Sequence, residues 1–409
     1  MKYVVILGDG MADYAYKELG GKTPLQYART PWMDSLAMRG TVGLVQTIPP
    51  GMAPGSDVAN LAVLGYDPRR YYTGRAPLEA ASLGLELTPA DVAYRCNLVT
   101  LSDDEPYHAK RLLDYSAGEI DTAEAAELIA AVDQYLGAPG RHFYPGLSYR
   151  HVLVWQEGPL NVRLTPPHDI SGQVVGPYLP EGDGATAVLT LMERSHSLLS
   201  AHQVNHARRA RGLSPANSIW IWGAGKKPVL PLFRELYGLE GVVVAAVDLV
   251  RGIGRCAGLE APVVPGATGN IHTNFRGKAR AALDALSAGY DFVYLHIEAP
   301  DEAGHQGNLE LKVRAIEAID REVLSEILKG LEAYPDYRLL LLPDHTTPVS
   351  TRTHGTDPVP FVIAAKEPLN GGAGTFDEPA AAGTGLRIEP GFELLPRYFL
   401  RPGLRNGPS

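Results

Sequence analysis

Apolar runs of strand length alternate with amphipathic stretches in the last third of the chain. YDFVYLHIE (290–298), YRLLLLPD (337–344) and VPFVIAA (359–365) are continuous apolar patterns. Between the first two lies a long amphipathic helix pattern at 308–333, and GKARAALDALSAG, also with helical spacing, precedes them all. Buried strands separated by helices predict a mostly parallel sheet covered on both faces.

The start of the chain continues this pattern, whereas the middle does not. Tyr3–Leu7 is a short apolar strand that ends at Gly-Asp-Gly, and a helix pattern at 57–66 opens just after Ser56. From residue 67 to about 270, Pro and Gly are frequent between a helix pattern at 121–137 and strand-like SYRHVLVW (148–155). We therefore predict an α/β fold, doubly wound, with a smaller inserted α+β domain.

The change in sequence pattern, from alternating strands and helices to segments rich in Pro and Gly, predicts the domain boundaries. Residues 1–66 and 275–409 are predicted to form one discontinuous domain that carries the sheet. Residues 67–274 are predicted to form the insert. A chain of 409 residues is long enough for two or three domains.

Composition narrows the class of protein. The net charge of −9 argues against non-specific nucleic-acid binding, although a local arginine cluster could still bind a small anion. The two cysteines, Cys96 and Cys256, offer no disulfide framework, which favours a reducing compartment. No apolar run approaches the roughly 18–20 residues that span a bilayer, so we expect a cytoplasmic protein without a membrane segment.

Acids and histidines follow the predicted strands where each strand ends. They are Asp9, Asp301, His305, Asp344, His345 and His354. Each motif alone is also typical of a turn, a helix cap or an exposed pair. Because ligands bind at the carboxyl ends of strands in doubly wound sheets, we expect these side chains to converge.

The mixture of ligand types indicates the chemistry. Carboxylates together with imidazoles suit Zn²⁺ or Mn²⁺ better than Mg²⁺ alone. Two such ions can clamp a phosphoryl group and activate a nucleophile, for which Ser56 before a predicted helix is the candidate. We expect two divalent cations, Mn²⁺ or Zn²⁺ with Mg²⁺ and Co²⁺ as further candidates, and a phosphorylated small-molecule substrate.

Several long motifs resemble one family. They are GDGMAD (8–13), PGSDVANLAVLGYDP (54–68), YYTGRAPLEA (71–80), EAPDEAGH (298–305), LPDHTTP (342–348) and THGTDPVPF (353–361). Together they resemble the archaeal-type cofactor-independent phosphoglycerate mutases of the alkaline phosphatase superfamily. The resemblance implies an alkaline-phosphatase-like domain that holds two metal ions and interconverts 3- and 2-phosphoglycerate through a phosphoserine at Ser56. It implies one metal bound by Asp9, Ser56, Asp344 and His345, and the other by Asp301, His305 and His354.

One segment departs from the family pattern. From Lys110 the chain reads KRLLDYSAGEI, where mutases of this family more often have D-R-R-A-G-R. The variant is similar to bacterial relatives proposed to act as homoserine kinases, so phosphorylation of homoserine stays open as an alternative. A non-enzymatic metal-binding protein of the same fold is a third hypothesis.

Substrate recognition is expected in the insert, since a phosphoglycerate carries a phosphate and a carboxylate that need cationic partners. The candidates are Arg95, Arg150, His151, His168, Asp169 and Lys226. His151, His168 and Asp169 are also the candidates for the acid/base that protonates the leaving oxygen. An oligomer is compatible with each of these hypotheses.

Overall fold

The computed structural model describes residues 1–400 as two compact units. Of the described residues, the sheet unit comprises Met1–Tyr72 and 229–400, and the insert comprises Thr73–Pro228. The strands of the described residues are β1 (Lys2–Gly8), β2 (Thr41–Val45), β3 (Asp91–Leu101), β4 (Leu112–Asp114), β5 (Arg141–Tyr144), β6 (Arg150–Gln156), β7 (Val162–Arg163), β8 (Glu181–Gly182), β9 (Ser218–Lys226), β10 (Gly241–Val244), β11 (Phe292–Ile297), β12 (Tyr337–Leu342), β13 (Val359–Ala365) and β14 (Arg387–Ile388).

Helices connect most of these strands. They are α1 (Pro24–Tyr27), α2 (Pro31–Arg39), α3 (Ser56–Val63), α4 (Pro68–Tyr71), α5 (Ala76–Ser82), α6 (Thr122–Leu136), α7 (Ala185–Ser200), α8 (Gln203–Ala210), α9 (Phe233–Tyr237), α10 (Asp248–Cys256), α11 (Phe275–Ser287), α12 (Ala299–His305), α13 (Leu309–Ala318), α14 (Ser325–Leu331) and α15 (Glu378–Gly383). Over residues 1–400, none of them combines the length and apolarity needed to cross a bilayer.

The sheet unit is built on seven strands in the order β10-β11-β1-β12-β13-β2-β14. The run from β10 to β12 is parallel, as is the β2–β14 pair, whereas β13 is antiparallel to both of its neighbours. This confirms the predicted mostly parallel α/β sheet. Strands β1, β11 and β12 are mostly apolar, since the core covers both of their faces. Their carboxyl ends are neighbours, so the residues that follow them meet.

The long helix pattern at 308–333 is interrupted in the structure. A π-helical turn at Ile319–Leu324 separates α13 from α14. Within this turn, buried Asp320 accepts the backbone N–H of Met33 through Oδ1 at 2.8 Å. The carboxylate therefore caps the first turn of α2, whose preceding residue, Thr30, makes no side-chain cap.

The insert is an α+β unit with its own core. Strand β3 lies at its centre and pairs antiparallel with β6 and β9, while β5 extends the sheet beyond β6 and β4 pairs with the end of β3. Helices α6 and α7 pack on this sheet around Leu128, Met192 and Trp220. Strands β7 and β8 form a separate two-stranded ribbon.

The second domain boundary differs from the sequence-based expectation at residue 274. Residues 229–274 belong to the sheet unit, because β10 pairs in parallel with β11 from Gly241 to Val244. This segment resembles the insert in sequence because its strand is only four residues long and lies between Pro- and Gly-rich loops. The first boundary, predicted at residue 66, lies close to Tyr72.

Candidate active site

Seven side chains predicted from the sequence meet beyond the carboxyl ends of β1, β11 and β12. Asp9 follows β1, α12 carries two of the others after β11, and three come from the loop after β12. Ser56 is the first residue of α3. We call Asp9, Ser56, Asp344 and His345 the first ligand group, and Asp301, His305 and His354 the second ligand group.

The first ligand group is arranged around one imidazole nitrogen. His345 Nε2 lies 3.2 Å from Ser56 Oγ, 3.5 Å from Asp344 Oδ2 and 3.6 Å from Asp9 Oδ1. The histidine and both aspartates are buried. A hydroxyl, an imidazole and two carboxylates therefore face one point.

The second ligand group also brings imidazole nitrogens and a carboxylate close together. His305 Nε2 lies 3.2 Å from Asp301 Oδ2 and 3.0 Å from His354 Nε2. His354 Nε2 is 3.5 Å from Asp301 Oδ1. Ligands held about 2.0–2.2 Å from one zinc-like ion at ordinary coordination angles lie about 3.0–3.5 Å apart, so these separations fit a shared cation.

The charges of the cluster also fit cations. Burial, reinforced by the nearby Asp344 and Asp301 carboxylates, raises the pKa of Asp9 well above its usual range. Its Oδ1 atom is buried and makes no hydrogen bond. Burial lowers the pKa of His345, which favours the neutral imidazole that a metal ion requires. Divalent ions would offset the repulsion between the carboxylates and give the unpartnered oxygen a ligand role.

Backbone conformation at Gly10 lets the loops approach each other. Gly10 has a φ of 58°, and its N–H donates to Asp344 Oδ1 at 3.1 Å. A Cβ atom at this position would lie 2.4 Å from Thr347 Oγ1 and 2.7 Å from Asp301 Oδ1. Only glycine fits both the left-handed conformation and the space available.

Two buried residues that the sequence analysis did not single out fix the start of α3. Asn60 donates through Nδ2 to Asp344 Oδ2 at 2.9 Å and to the Ser56 carbonyl at 2.8 Å. Its Oδ1 accepts the hydroxyl of Tyr294, on β11, at 2.6 Å. Ser56 is thereby held next to the carboxylate of its own ligand group.

His296 was also missed by the sequence analysis. It lies on β11, is fully buried, and places Nε2 3.0 Å from Asp9 Oδ2. Neither of its ring nitrogens makes a hydrogen bond of good geometry, and burial lowers its pKa to about 4. Asp9, His296 and Asp344 form a further set of atoms close enough to share an ion. A single histidine in an apolar strand gives no signal of this kind in the sequence.

In the insert, the predicted Arg95 and His168 meet on Trp222. The Arg95 guanidinium lies 4.0 Å from the centre of the Trp222 ring, and the His168 ring is 5.3 Å from it. Glu79 accepts from Arg95 Nε at 2.9 Å and from Arg75 Nε at 3.2 Å. Burial lowers the pKa of Arg95 to about 10. Two arginines therefore share the Glu79 carboxylate.

The other predicted recognition residues are placed differently. His151 is buried and pairs with Cys96 across β3 and β6, so it faces away from Arg95, because successive residues on a strand point to opposite faces. Its Nδ1 accepts the Gly146 N–H, and burial lowers its pKa to about 3. Arg150, Asp169 and Lys226 are exposed.

Comparison with known proteins identifies the family. Residues 37–205 match the family described as 2,3-bisphosphoglycerate-independent phosphoglycerate mutase. The probable enzyme of that name from Geobacter sulfurreducens is 54% identical, over 97% of this chain and 98% of its own. This chain belongs to the 2,3-bisphosphoglycerate-independent phosphoglycerate mutase family. The enzyme of that name from Methanothrix thermoacetophila is 52% identical with the same coverage.

Solved structures share the fold of this chain, and one of them carries the family's name. The cofactor-independent phosphoglycerate mutase from Thermoplasma acidophilum superposes with a TM-score of 0.65 at 29% identity, covering 97% of this chain and 98% of that one. A Pyrococcus horikoshii protein gives a TM-score of 0.80 at 32% identity, covering 97% and 95%. The predicted phosphoglycerate mutase resemblance is therefore confirmed over nearly the whole chain.

The segment in which this mutase-family chain departs from the D-R-R-A-G-R pattern forms a closed turn. Asp114 accepts the Ser116 N–H and hydroxyl through Oδ1, each at 2.7 Å, and the Gly118 N–H through Oδ2 at 2.7 Å. Tyr115 packs edge-on against His168, with 6.2 Å between ring centres. An aromatic ring thus lies beside the Arg95–His168 cluster, and cationic charge there comes from outside this segment.

Proposed function

We propose that this chain is a 2,3-bisphosphoglycerate-independent phosphoglycerate mutase that interconverts 3-phosphoglycerate and 2-phosphoglycerate through a phosphoserine at Ser56. The observation that carries the proposal is the contact of Ser56 Oγ with His345 Nε2, inside a cluster of buried carboxylates and imidazoles. A hydroxyl in such a cluster is suited to attack phosphorus rather than to cap a helix.

The two ligand groups would each hold one divalent cation, Mn²⁺ or Zn²⁺ by the preference of mixed carboxylate and imidazole ligands. When bound, such ions lower the pKa of a neighbouring hydroxyl and offset the charge of a phosphoryl group. His296 is proposed as a supporting residue of the first ligand group, because its Nε2 is 3.0 Å from Asp9 Oδ2.

The residues of the chain account for two displacements. The Ser56 hydroxyl gives up its proton, Oγ forms a bond to the phosphorus of 3-phosphoglycerate, and the bond from phosphorus to the 3-oxygen breaks. Glycerate then re-orients, its 2-hydroxyl attacks the phosphoserine, the bond to Ser56 Oγ breaks, and Oγ regains a proton. The leaving 3-oxygen takes up a proton and the 2-hydroxyl gives one up, for which the exposed His168 and Asp169 remain the candidates.

Substrate recognition is proposed to lie on Arg95 and His168. Arg95 is held by Glu79 and stacked on Trp222, so its orientation is fixed before a ligand arrives. A guanidinium in a fixed orientation suits the planar carboxylate or the phosphate of a phosphoglycerate. Arg75, which shares Glu79, adds a second positive charge.

The test is a turnover assay on the full chain loaded with Mn²⁺. We expect 2-phosphoglycerate to form from 3-phosphoglycerate when 2,3-bisphosphoglycerate is absent. The conversion is monitored by ³¹P NMR. The reaction should stop when a chelator removes the ion and resume when Mn²⁺ is restored. Absence of turnover by the Mn²⁺-loaded chain, with both ions bound, would count against the proposal.

A second candidate, phosphorylation of homoserine with ATP as donor, is favoured by one observation. The turn from Asp114 to Gly118 contains no arginine, and its carboxylate is used by its own backbone. Phosphohomoserine formation together with inactivity toward 3-phosphoglycerate would support this candidate. Inactivity in both assays with bound cations would favour the non-enzymatic metal-binding protein.

A further inference from the structure

Thr347 touches both ligand groups although it belongs to neither. It lies in the loop after β12 and is fully buried. Its Oγ1 is 2.5 Å from Asp301 Oδ1, in the second ligand group, and 3.2 Å from His345 Nδ1, in the first. One hydroxyl therefore connects a carboxylate of one group with an imidazole of the other.

The protons in this chain of contacts can be assigned. Asp301, as a carboxylate, can only accept, so the single hydroxyl proton of Thr347 is donated to Asp301. The Thr347 oxygen then accepts the Nδ1–H of His345. Nε2 of His345 consequently carries no proton, and its lone pair faces Ser56 Oγ at 3.2 Å. This is the tautomer that a cation in the first ligand group needs.

The position of Thr347 is fixed by a buried ion pair. Lys312 on α13 is fully buried and donates to the Thr347 carbonyl at 2.8 Å, to Asp13 Oδ2 at 2.7 Å and to the Ala12 carbonyl at 3.3 Å. All three protons of the ammonium group are thus used. The loops after β1 and β12 are tied together at the point where the Thr347 hydroxyl enters the site.

Glycines leave the space that the hydroxyl and carbonyl of Thr347 occupy. A Cβ atom at Gly10 would lie 2.4 Å from Thr347 Oγ1, and one at Gly304 would lie 2.4 Å from its carbonyl oxygen. The backbones at Gly10 and Gly304 thus pack closely against the hydroxyl and the carbonyl of Thr347. A rigid, fully bonded hydroxyl between two ligand groups is suited to transmit a change from one to the other.

We propose that Thr347 is a positioning residue that sets the tautomer of His345 and couples the two ligand groups, so that a divalent cation in one favours a cation in the other. This inference rests on the two-cation site of the proposed function. Loss of an outer-shell partner of a metal ligand typically weakens metal binding about 10–100-fold.

The matched variants are Thr347→Val, which keeps the shape but removes the hydroxyl, and Thr347→Ser, which keeps the hydroxyl. Mn²⁺ is titrated calorimetrically into the metal-free full chain of each. We expect the valine variant to bind Mn²⁺ about 10–100-fold more weakly in the first ligand group. Its two ions should also bind independently of each other, because the coupling is lost. The serine variant should bind as the wild type does. Wild-type binding by the valine variant, or equal losses in both variants, would overturn the proposal.

A second measurement does not depend on the folding of the valine variant. In metal-free wild-type chain labelled with ¹⁵N-histidine, the His345 signals, assigned with His345→Gln, should show the Nδ1–H tautomer. The serine variant should show the same signals. An Nε2–H tautomer at His345 would overturn the proposal.

These readouts are separate from turnover. A chain that binds two cations with a Thr347-dependent affinity but does not convert 3-phosphoglycerate would refute the proposed function and leave the coupling intact. An active mutase in which Thr347→Val binds Mn²⁺ as the wild type does would refute the coupling alone.

Discussion

His305 Nδ1 lies 2.9 Å from the carbonyl oxygen of Arg352, a residue held in the left-handed conformation with a φ of 57°. The carbonyl accepts the Nδ1–H, so Nε2 of His305 is left free to face Asp301 and His354. The backbone at Arg352 therefore orients a candidate ligand in the way that outer-shell carbonyls do in metal sites.

Two substitutions at Arg352 should distinguish the contribution of its backbone conformation to Mn²⁺ binding from that of its side chain. We expect Arg352→Val to destabilise the protein by about 1–3 kcal/mol and to weaken Mn²⁺ binding about tenfold, because a β-branched residue resists a positive φ and the carbonyl turns away. Arg352→Gly, which accepts this φ, should bind Mn²⁺ as the wild type does. The measurement is thermal unfolding with and without Mn²⁺, and equal behaviour of the two variants would contradict the argument.

Ser56→Ala should abolish turnover while leaving the fold intact. The expected loss in kcat is on the order of 10⁴-fold or more, because the variant lacks the atom that carries the phosphoryl group. The helix should survive, since no side-chain cap at Gly55 or Ser56 is lost. Circular dichroism checks the fold, and Ser350→Ala, at an exposed hydroxyl, is the control. Wild-type turnover by Ser56→Ala would exclude the covalent route.

Metal removal should lower the thermal stability. Without cations, the carboxylates of Asp9, Asp301 and Asp344 are buried close together, and burial and their mutual repulsion raise the pKa of Asp9. Free Mn²⁺ at about one hundred times its Kd should add about 2.7 kcal/mol to the free energy of unfolding, a rise in Tm of a few degrees. Asp9→Asn should reduce this rise. An unchanged Tm after chelation would argue against cation binding.

Arg95→Lys should raise KM for 3-phosphoglycerate at least tenfold, because lysine keeps the charge but not the planar fork or the stacking on Trp222. Arg141 offers a matched control, since its guanidinium lies 4.9 Å from the Trp155 ring centre in the same unit. Arg141→Lys should leave KM unchanged. The KM of both variants is measured by steady-state kinetics. Equal KM values for the two variants would show that Arg95 does not contribute to substrate recognition.

Asp320 should make stability depend on pH in an unusual direction. Burial raises its pKa to about 6, so the folded state holds a proton that the unfolded chain releases near pH 4. As pH rises from about 4 to 6, the folded state loses up to about 2–3 kcal/mol from this group. Asp320→Asn, which keeps an oxygen for the Met33 N–H, should lack this loss. Urea unfolding of both chains at pH 4.5 and pH 8 measures the difference, and parallel pH profiles would contradict it.

The sequence indicates the ligand groups because their members follow recognisable buried strands. Asp9, Asp301 and Asp344 each lie within four residues of the end of an apolar strand, and neighbouring strand ends bring them together. His296 and Thr347 could not be found in this way. The histidine lies inside an apolar strand, and the threonine acts through contacts with residues of other elements.

The sequence likewise predicted the strands of the sheet but not all of their directions and boundaries. Apolar length located β11, β12 and β13, but it carries no strand direction, so the antiparallel placement of β13 was not foreseen. The extent of the insert was overestimated because β10 is short and becomes a strand only by pairing with β11. Likewise, the opposite orientations of Arg95 and His151 depend on strand register, which composition does not reveal.

The pairing of β1 with β11 and β12 has a consequence for synthesis. Strand β1 is synthesised well before its two partners, which begin at Phe292 and Tyr337. The insert, complete by Pro228, has its own core and can fold before the partners of β1 have been synthesised. Until those partners are made, the apolar β1 segment has unpaired backbone groups and is prone to aggregation.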